Sequence, residues 1–187
     1  MKKVLMLALV AFMTLAMSQK AQAIEDPNPT GTVVIGARAG FFPGFGANLV
    51  GDYTLINHWW KGHFTVGGYL GFNTRVTKEY TYLNATYRER WTNFSIMPRA
   101  TYGLNITDDF EVHLAVMLGT VYHQWDYRWV NENYNNVYQP GSEWKFIQGE
   151  AVGCRYFFTP NFGVEAEIAY FYPSYMSYLN VGVTLKF

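Results

Sequence analysis

The chain has 187 residues, with 14 basic and 14 acidic side chains, and its only cysteine is Cys154. One cysteine excludes an intrachain disulfide framework and Cys-rich zinc or redox motifs, and with no basic excess in the chain nucleic acid is not an expected partner. Aromatic residues make up 19% of the chain beside 17 glycines, and past the first 23 positions no apolar run reaches the roughly 20 residues of a spanning helix.

In chain order, Lys2 and Lys3 precede the apolar run Val4 to Met17, and Ala21-Gln22-Ala23 has the small-residue spacing of a cleavage site. Residues 1–23 are therefore expected to be a signal peptide. Its removal takes Lys2, Lys3 and Lys20 with it and leaves 11 basic against 14 acidic side chains. Residues 24–187 fit one domain, with no linker or low-complexity segment inside them.

Eight stretches then alternate with period two, the mark of a strand with one apolar and one polar face. The first sets Val33, Ile35, Ala37, Ala39 and Phe41 against Val34, Gly36, Arg38 and Gly40. The second, about Ala47 to Leu55, is noisier. The third alternates Phe64, Val66, Leu70 and Phe72 with Thr65, Gly67, Tyr69 and Gly71. In the fourth, Phe94, Ile96, Pro98, Ala100 and Tyr102 oppose Asn93, Ser95, Met97, Arg99 and Thr101, with Pro98 forfeiting one ladder donor. The fifth places Phe110, Val112, Leu114, Val116 and Leu118 against Glu111, His113, Ala115, Met117 and Gly119. The sixth, about Phe146 to Phe158, is irregular: with Arg155 inside, Glu150 turns outward, so a bulge or a position above the membrane is expected there. The seventh alternates Phe162, Val164, Ala166, Ile168 and Tyr170 with Glu165, Glu167 and Ala169. The eighth runs without error from Leu179 to Phe187.

An even number of strands puts both chain ends on one side. Compact connections follow the second, fourth and sixth strands (Asn57 to Lys61, Asn105 to Asp108, Thr159 to Asn161). Long polar ones, Thr74 to Glu89 and His123 to Trp144, follow the third and fifth, with shorter ones near Pro43 and Pro173.

Alternation alone does not choose the solvent, because a soluble β-sandwich also alternates. The polar faces decide: they mix Gly and small residues with isolated charges, which suits a cramped lumen. The inward set is Arg38, Arg99, Arg155 and Lys186 against Asp52, Glu111, Glu165 and Glu167, balanced if His113 is neutral. Pairing is expected across the turns, Arg38 with Asp52 about Phe45, Arg99 with Glu111 about Asn105, and Arg155 with Glu165 about Pro160. Aromatic residues form two candidate belts: Trp59, Trp60, Tyr102, Phe158, Phe162 and Phe187 at one set of strand ends, and Phe41, Phe72, Trp91, Tyr122, Trp144 and Tyr170 at the other.

The pattern Gly153-Cys154-Arg155-Tyr156-Phe157-Phe158, the strand around Glu165-Ala166-Glu167 and the ending Leu179 to Phe187 resemble the small eight-stranded outer-membrane β-barrels of Gram-negative bacteria, OmpX-like proteins and the OmpA-type membrane domain. The resemblance implies an all-β antiparallel transmembrane barrel in the outer membrane with both termini periplasmic. It also implies an assembly signal at Val181, Val183, Leu185 and Phe187 read by the barrel-assembly machinery. No periplasmic peptidoglycan-binding domain is seen after the barrel, so cell-wall tethering is not implied.

Eight strands leave an interior about filled by side chains, so a structural or surface-interaction role without enzymatic activity is expected. Trp125, Tyr127, Arg128, Trp129, Tyr134 and Tyr138 form a candidate contact surface for an extracellular protein or glycan. The other reading of these segments is that they extend the walls above the lipid. A small-solute or ion pore is the alternative. A lipid A-modifying enzyme is a weaker one, since none of His58, His63, His113 and His123 is followed two positions on by Ser. No cofactor or metal is expected. The expected surroundings are outer-membrane lipid and lipopolysaccharide, and the expected state is a monomer.

Overall fold

Strands whose two faces differ in polarity bury one face only by curling or stacking, and here they close on themselves. The computed structural model describes residues 28–60, 62–82, 85–129 and 139–187, with side chains described outside 77–82, 85–87, 127–129 and 139. Eight strands form a closed antiparallel barrel in chain order: β1 (Val33–Phe41), β2 (Phe45–Trp59), β3 (Gly62–Tyr82), β4 (Ala85–Asn105), β5 (Phe110–Trp129), β6 (Gln139–Thr159), β7 (Phe162–Tyr172) and β8 (Leu179–Lys186). β8 closes the wall on β1, and past the ladder Val33 and Phe187 exchange main-chain hydrogen bonds of 3.0 and 2.8 Å. Closure removes both sheet edges.

The expected signal peptide lies outside the described residues. The two long connections do not exist as loops at the expected length. β3 continues to Tyr82 and β4 starts at Ala85; β5 continues to Trp129 and β6 starts at Gln139. A transmembrane strand needs about 9–11 residues, so these strands of 20 and 21 residues project well past the lipid. Polarity misled there, because a wall with water on its outer side has no need of an apolar face.

β2 is noisy for a physical reason: register shifts between Thr54 and Ile56 and between Ile56 and Trp59 break its alternation, so that Leu55 and Ile56 are both exposed. β6 holds one register against β5 along its whole pairing, and its only shift against β7 lies at Phe157–Thr159. The bulge expected near Glu150 is absent. At Pro98 the β4–β5 ladder skips Met97 and Pro98 and resumes in the same register, as a residue without an N–H requires.

The solvent assignment follows from burial. Polar and charged residues, among them Arg38, Asp52, Arg99, Glu111, Arg155, Glu165 and Glu167, are buried, while Leu49, Ile96, Val116, Ile168, Val183 and many other large apolar residues are exposed. The inside is polar and the outside is greasy. Small interior residues make the narrow bore possible: a Cβ on Gly67 would lie 1.7 Å from the Gly51 carbonyl oxygen, and one on Gly36 1.9 Å from Glu165 Oε1.

Candidate functional site: the lumen and its outer mouth

Four strands meet at one guanidinium. Arg155 projects from β6 into the lumen and is 1% exposed. Its Nη2 lies 2.5 Å from Asp52 Oδ2 on β2, its Nη1 3.1 Å from Glu111 Oε1 on β5, and its Nε 3.1 Å from Glu165 Oε2 on β7. A planar guanidinium with five N–H donors on three nitrogens reaches three carboxylates on separate sides; an ammonium would have to draw all three to one nitrogen. Arg99 places Nη2 2.6 Å from Glu167 Oε2 and Nε 3.3 Å from Asp52 Oδ1. Arg38 places Nη1 3.0 Å from Glu167 Oε2 and Nε 3.7 Å from Glu165 Oε1, and its Nε donates to Asn48 Oδ1 at 2.6 Å.

Two of the three expected couples are therefore wrong. β1 and β2 pair Val34 with Asp52 and Arg38 with Asn48, because the turn centres on Pro43 rather than Phe45, with left-handed backbone at Phe42 (φ 51°) and Gly44 (φ 90°). Asp52 instead meets Arg155 and Arg99. β4 and β5 pair Asn105 with Glu111 and Arg99 with Met117, because residues 106–109 form a turn closed by Ile106 N–H to Phe110 O at 2.8 Å. Arg155 does face Glu165 directly. Lys186, the fourth expected cation, stands toward the inner end of the lumen with its ammonium 4.2 Å from the Phe157 ring centroid.

Three guanidiniums thus meet four carboxylates, and imidazoles stand between them. His113 has Nδ1 3.4 Å from Glu111 Oε1 and Nε2 3.3 Å from Glu167 Oε2. At the inner end, where Asn28 and Phe187 lie, His63 Nε2 is 3.5 Å from Glu111 Oε2 and Asn28 Nδ2 donates to the same oxygen at 3.0 Å. The sequence reading missed Asn28 and His63. Strict alternation of β3 backward from Thr65 would have put His63 inside; nothing local marks Asn28, which precedes the first strand.

Toward the outer end the ions give way to an apolar layer of Tyr69, Met97, Met117, Ile147, Phe171 and Met176, each at most 1% exposed. Arg38 bridges the two layers, its Cζ 5.9 Å from the Tyr69 ring centroid. Met176 comes from the β7–β8 connection, which folds into the barrel. Ser177 Oγ accepts from Asn73 Nδ2 at 2.7 Å, the Tyr175 carbonyl accepts from Asn93 Nδ2 at 2.7 Å, and Lys145 Nζ donates to the Tyr175 hydroxyl at 2.8 Å. This plug was not read from sequence, because its contacts span up to 104 positions.

Above the plug, the Tyr175 and His123 rings lie 4.4 Å apart, and Trp91 and Trp125 stand 5.1 and 5.3 Å from His123. Trp91 was expected in the outward aromatic belt and instead points inward, with the Arg75 guanidinium 4.5 Å from its ring; its residue number puts it in phase with Asn93 and not with Phe94. Of the expected contact surface, Trp125 is in this cluster. Tyr127, Arg128 and Trp129 lie on β5 with undescribed side chains, and Tyr134 and Tyr138 lie outside the described residues. Among the described residues no hydrogen bond joins a histidine to a serine, and none of their His, Cys, Asp and Glu side chains group as metal ligands.

A closed eight-stranded tube with ions inside and hydrocarbon-matched side chains outside has one stable solvent arrangement. The chain folds as a small outer-membrane β-barrel. A major outer membrane protein from Thermus thermophilus has the same fold at 15% sequence identity and a TM-score of 0.61, over 83% of this chain and 99% of that one. The N-terminal β-barrel domain of Pseudomonas aeruginosa OprF is similar at 16% identity and a TM-score of 0.50, over 84% of this chain and 98% of that one. No protein-family model and no curated protein sequence matches the barrel.

Proposed function

We propose that this barrel is an integral outer-membrane protein without enzymatic activity, shut through its lumen, that acts by presenting its outer mouth to an extracellular protein or glycan. The observation that carries the reading is the occupied bore: Arg155 sits fully buried among Asp52, Glu111 and Glu165, and an eight-stranded barrel has room for little else at that level. Removing one member of a buried ion network leaves an uncompensated charge, so the network resists opening. The projecting walls of β3–β6 then supply the contact surface, with Trp125 opposite Trp91 in the β4–β5 ladder; Tyr127, Arg128, Trp129, Tyr134 and Tyr138 are its further candidate residues.

In this reading both termini face the periplasm. Residues 1–23 direct export, and Val181, Val183, Leu185 and Phe187 present an outward apolar stripe to the assembly machinery. Lipopolysaccharide and lipid bathe the wall between the aromatic belts.

Planar-bilayer recording tests the shut lumen. No nanosiemens steps are expected; their appearance would replace this reading with a pore. A pore of small ions has one observation in its favour: Thr65 Oγ1, Tyr69 OH, Ser95 Oγ and Thr184 Oγ1 are buried without hydrogen-bond partners, and such atoms take up water where space allows. Release of fatty acid from lipid A incubated with the folded protein would instead show an enzyme. The contact surface is tested by Trp125→Ala and Arg128→Ala, which should weaken adhesion of cells bearing the protein to a glycan- or protein-coated surface and leave the folded gel mobility unchanged.

A further inference from the structure

The plug is tied to the wall through a titratable ring. Tyr175, half-buried in the β7–β8 connection, has its carbonyl held by Asn93 Nδ2 at 2.7 Å and its hydroxyl by Lys145 Nζ at 2.8 Å, and its ring lies 4.4 Å from that of His123 at an interplanar angle of 34°. The Asn93 amide serves both partners. Because its nitrogen donates to the Tyr175 carbonyl, its oxygen is the atom 2.6 Å from His123 Nδ1, and that imidazole nitrogen carries the hydrogen. A short chain of bonds therefore runs from the β5 imidazole through β4 to the main chain of the plug. The next residue, Met176, fills the apolar layer. At Tyr178 the chain is fixed again, its N–H donating to Phe42 O at 2.5 Å and its carbonyl accepting from Ala169 N–H at 2.7 Å. Residues 173–177 lie between β7 and β8 and can lift without breaking a ladder.

His123 is buried one position beyond Tyr122 of the outer belt, on the mouth side of the membrane-spanning part of β5. The charged groups that act on it are Lys145 and Glu143 on β6, Glu89 on β4 and Arg75 on β3, and Tyr175 covers it from the plug. Burial, then Lys145 and Arg75, hold the imidazole below its ordinary pKa against the opposing pull of Glu143 and Glu89. Glu143 is already engaged with Lys145 at 2.5 Å. Stacking on the aromatic rings does not rescue an imidazolium: the Tyr175 ring already has the Lys145 ammonium 5.4 Å from its centroid, and Trp91 has the Arg75 guanidinium at 4.5 Å.

We propose that the β7–β8 connection is a proton-operated lid on the outer mouth, with His123 as its switch. When residues 173–177 lift, Tyr175 no longer covers the imidazole, water reaches it, and its pKa returns toward the ordinary value of about 6.5. The lifted form thus holds the proton more tightly than the seated one. The seated lid has its full stability above that pH and loses it as pH falls, the lifted-to-seated ratio rising about ten-fold per pH unit until the lower pKa of the seated form is passed. Lifting withdraws Met176 and opens a pocket floored by Tyr69, Met97, Met117 and Phe171. The Arg155 layer lies deeper and shares no group with the latch, so the lumen stays shut while the mouth changes shape.

Methionine-methyl NMR of the full chain, refolded in phosphatidylcholine nanodiscs, reads the lid at Met176, whose signal is assigned by its loss in Met176→Leu. Relaxation of that methyl by a soluble gadolinium chelate should be at least about ten-fold stronger at about pH 5 than at about pH 7.5. His123→Phe keeps a ring without a titrating nitrogen, and His123→Gln keeps a donor for Asn93 Oδ1; in both, the Met176 methyl should relax equally at the two pH values. Each variant is checked for the mobility shift between unheated and boiled samples. A Met176 methyl equally shielded at both pH values in the unaltered chain, or a pH response that persists in either folded variant, would overturn the proton-operated lid.

Discussion

The Arg155 guanidinium and the Asp52 carboxylate are 103 positions apart in the chain and 2.5 Å apart across the lumen. They belong to β6 and β2, which never share a ladder, so their contact exists only because the wall closes. The same guanidinium also holds Glu111 and Glu165, so three buried carboxylates lose a partner if that group is removed.

Arg155→Ala should therefore destabilise the barrel by about 3–5 kcal/mol, the usual cost of stranding buried counter-charges. Arg155→Lys should recover only part of it, because an ammonium lacks the planar fork that reaches three carboxylates. Urea unfolding in vesicles, followed by the loss of the unheated gel mobility, measures both. An unchanged midpoint for Arg155→Ala would remove the ion layer as a source of stability.

The register makes a sharper distinction. A double-mutant cycle of Asp52→Asn with Arg155→Met should give an interaction of about 0.5–3 kcal/mol. The same cycle of Asp52→Asn with Arg38→Met should give less, since Arg38 bonds Asn48, Glu165 and Glu167. The reverse order would restore the pairing about Phe45 and contradict the β1–β2 register.

Two glycines in adjacent strands should behave oppositely. Gly67 points into the lumen, where an added methyl meets the Gly51 carbonyl at 1.7 Å, so Gly67→Ala should cost about 1–3 kcal/mol through forced backbone movement. Gly51 faces outward with nothing within 4 Å of its Cβ position. Gly51→Ala should be neutral or stabilising by up to about 1 kcal/mol, through the lost freedom of the unfolded chain. Equilibrium unfolding of the two variants side by side checks the assignment of inside and outside.

The plug gives a fourth outcome. Met176→Ala should cost about 2–5 kcal/mol if its side chain fills the apolar layer as its burial indicates, although it sits in a connection where substitutions are commonly harmless. Ser174→Ala, exposed in the same connection, should change little. Similar midpoints for the two would mean that the β7–β8 connection does not pack into the mouth in the membrane.

Phe187 joins the seam through two main-chain hydrogen bonds to Val33 and leaves its ring exposed. Phe187→Ala keeps both bonds, whereas deletion removes them. If Phe187 is read by the assembly machinery as a ring, both variants should reach the membrane at reduced yield; if it matters only for closure, the deletion alone should fail. Quantitative blotting of outer-membrane fractions separates the two.

Period two fixed a great deal locally. From Val33 to Phe41 and from Leu179 to Phe187 the alternation is unbroken, and it gave each of these strands its two faces before any contact was known. The single charges on those polar faces were legible too, because an ion in phase with Gly36 or Gly182 must share their side. Alternation ran out where the backbone left its rhythm, at the shifts after Thr54, and where both sides of a strand are wet, beyond Thr74 and His123.

The amino-acid order by itself determined that there are eight two-faced strands, which side chains share the polar face of each, and that hydrocarbon is the solvent of the other face. Only the tertiary structure decided which ion meets which, that the β7–β8 connection folds into the mouth, and that Glu150 stays on the outward face without a bulge. The reason is the range of the forces. A strand's polarity pattern is a property of neighbouring residues, whereas ladder register depends on turn geometry and contacts across the bore on closure of the whole wall, and neither leaves a local trace in the sequence.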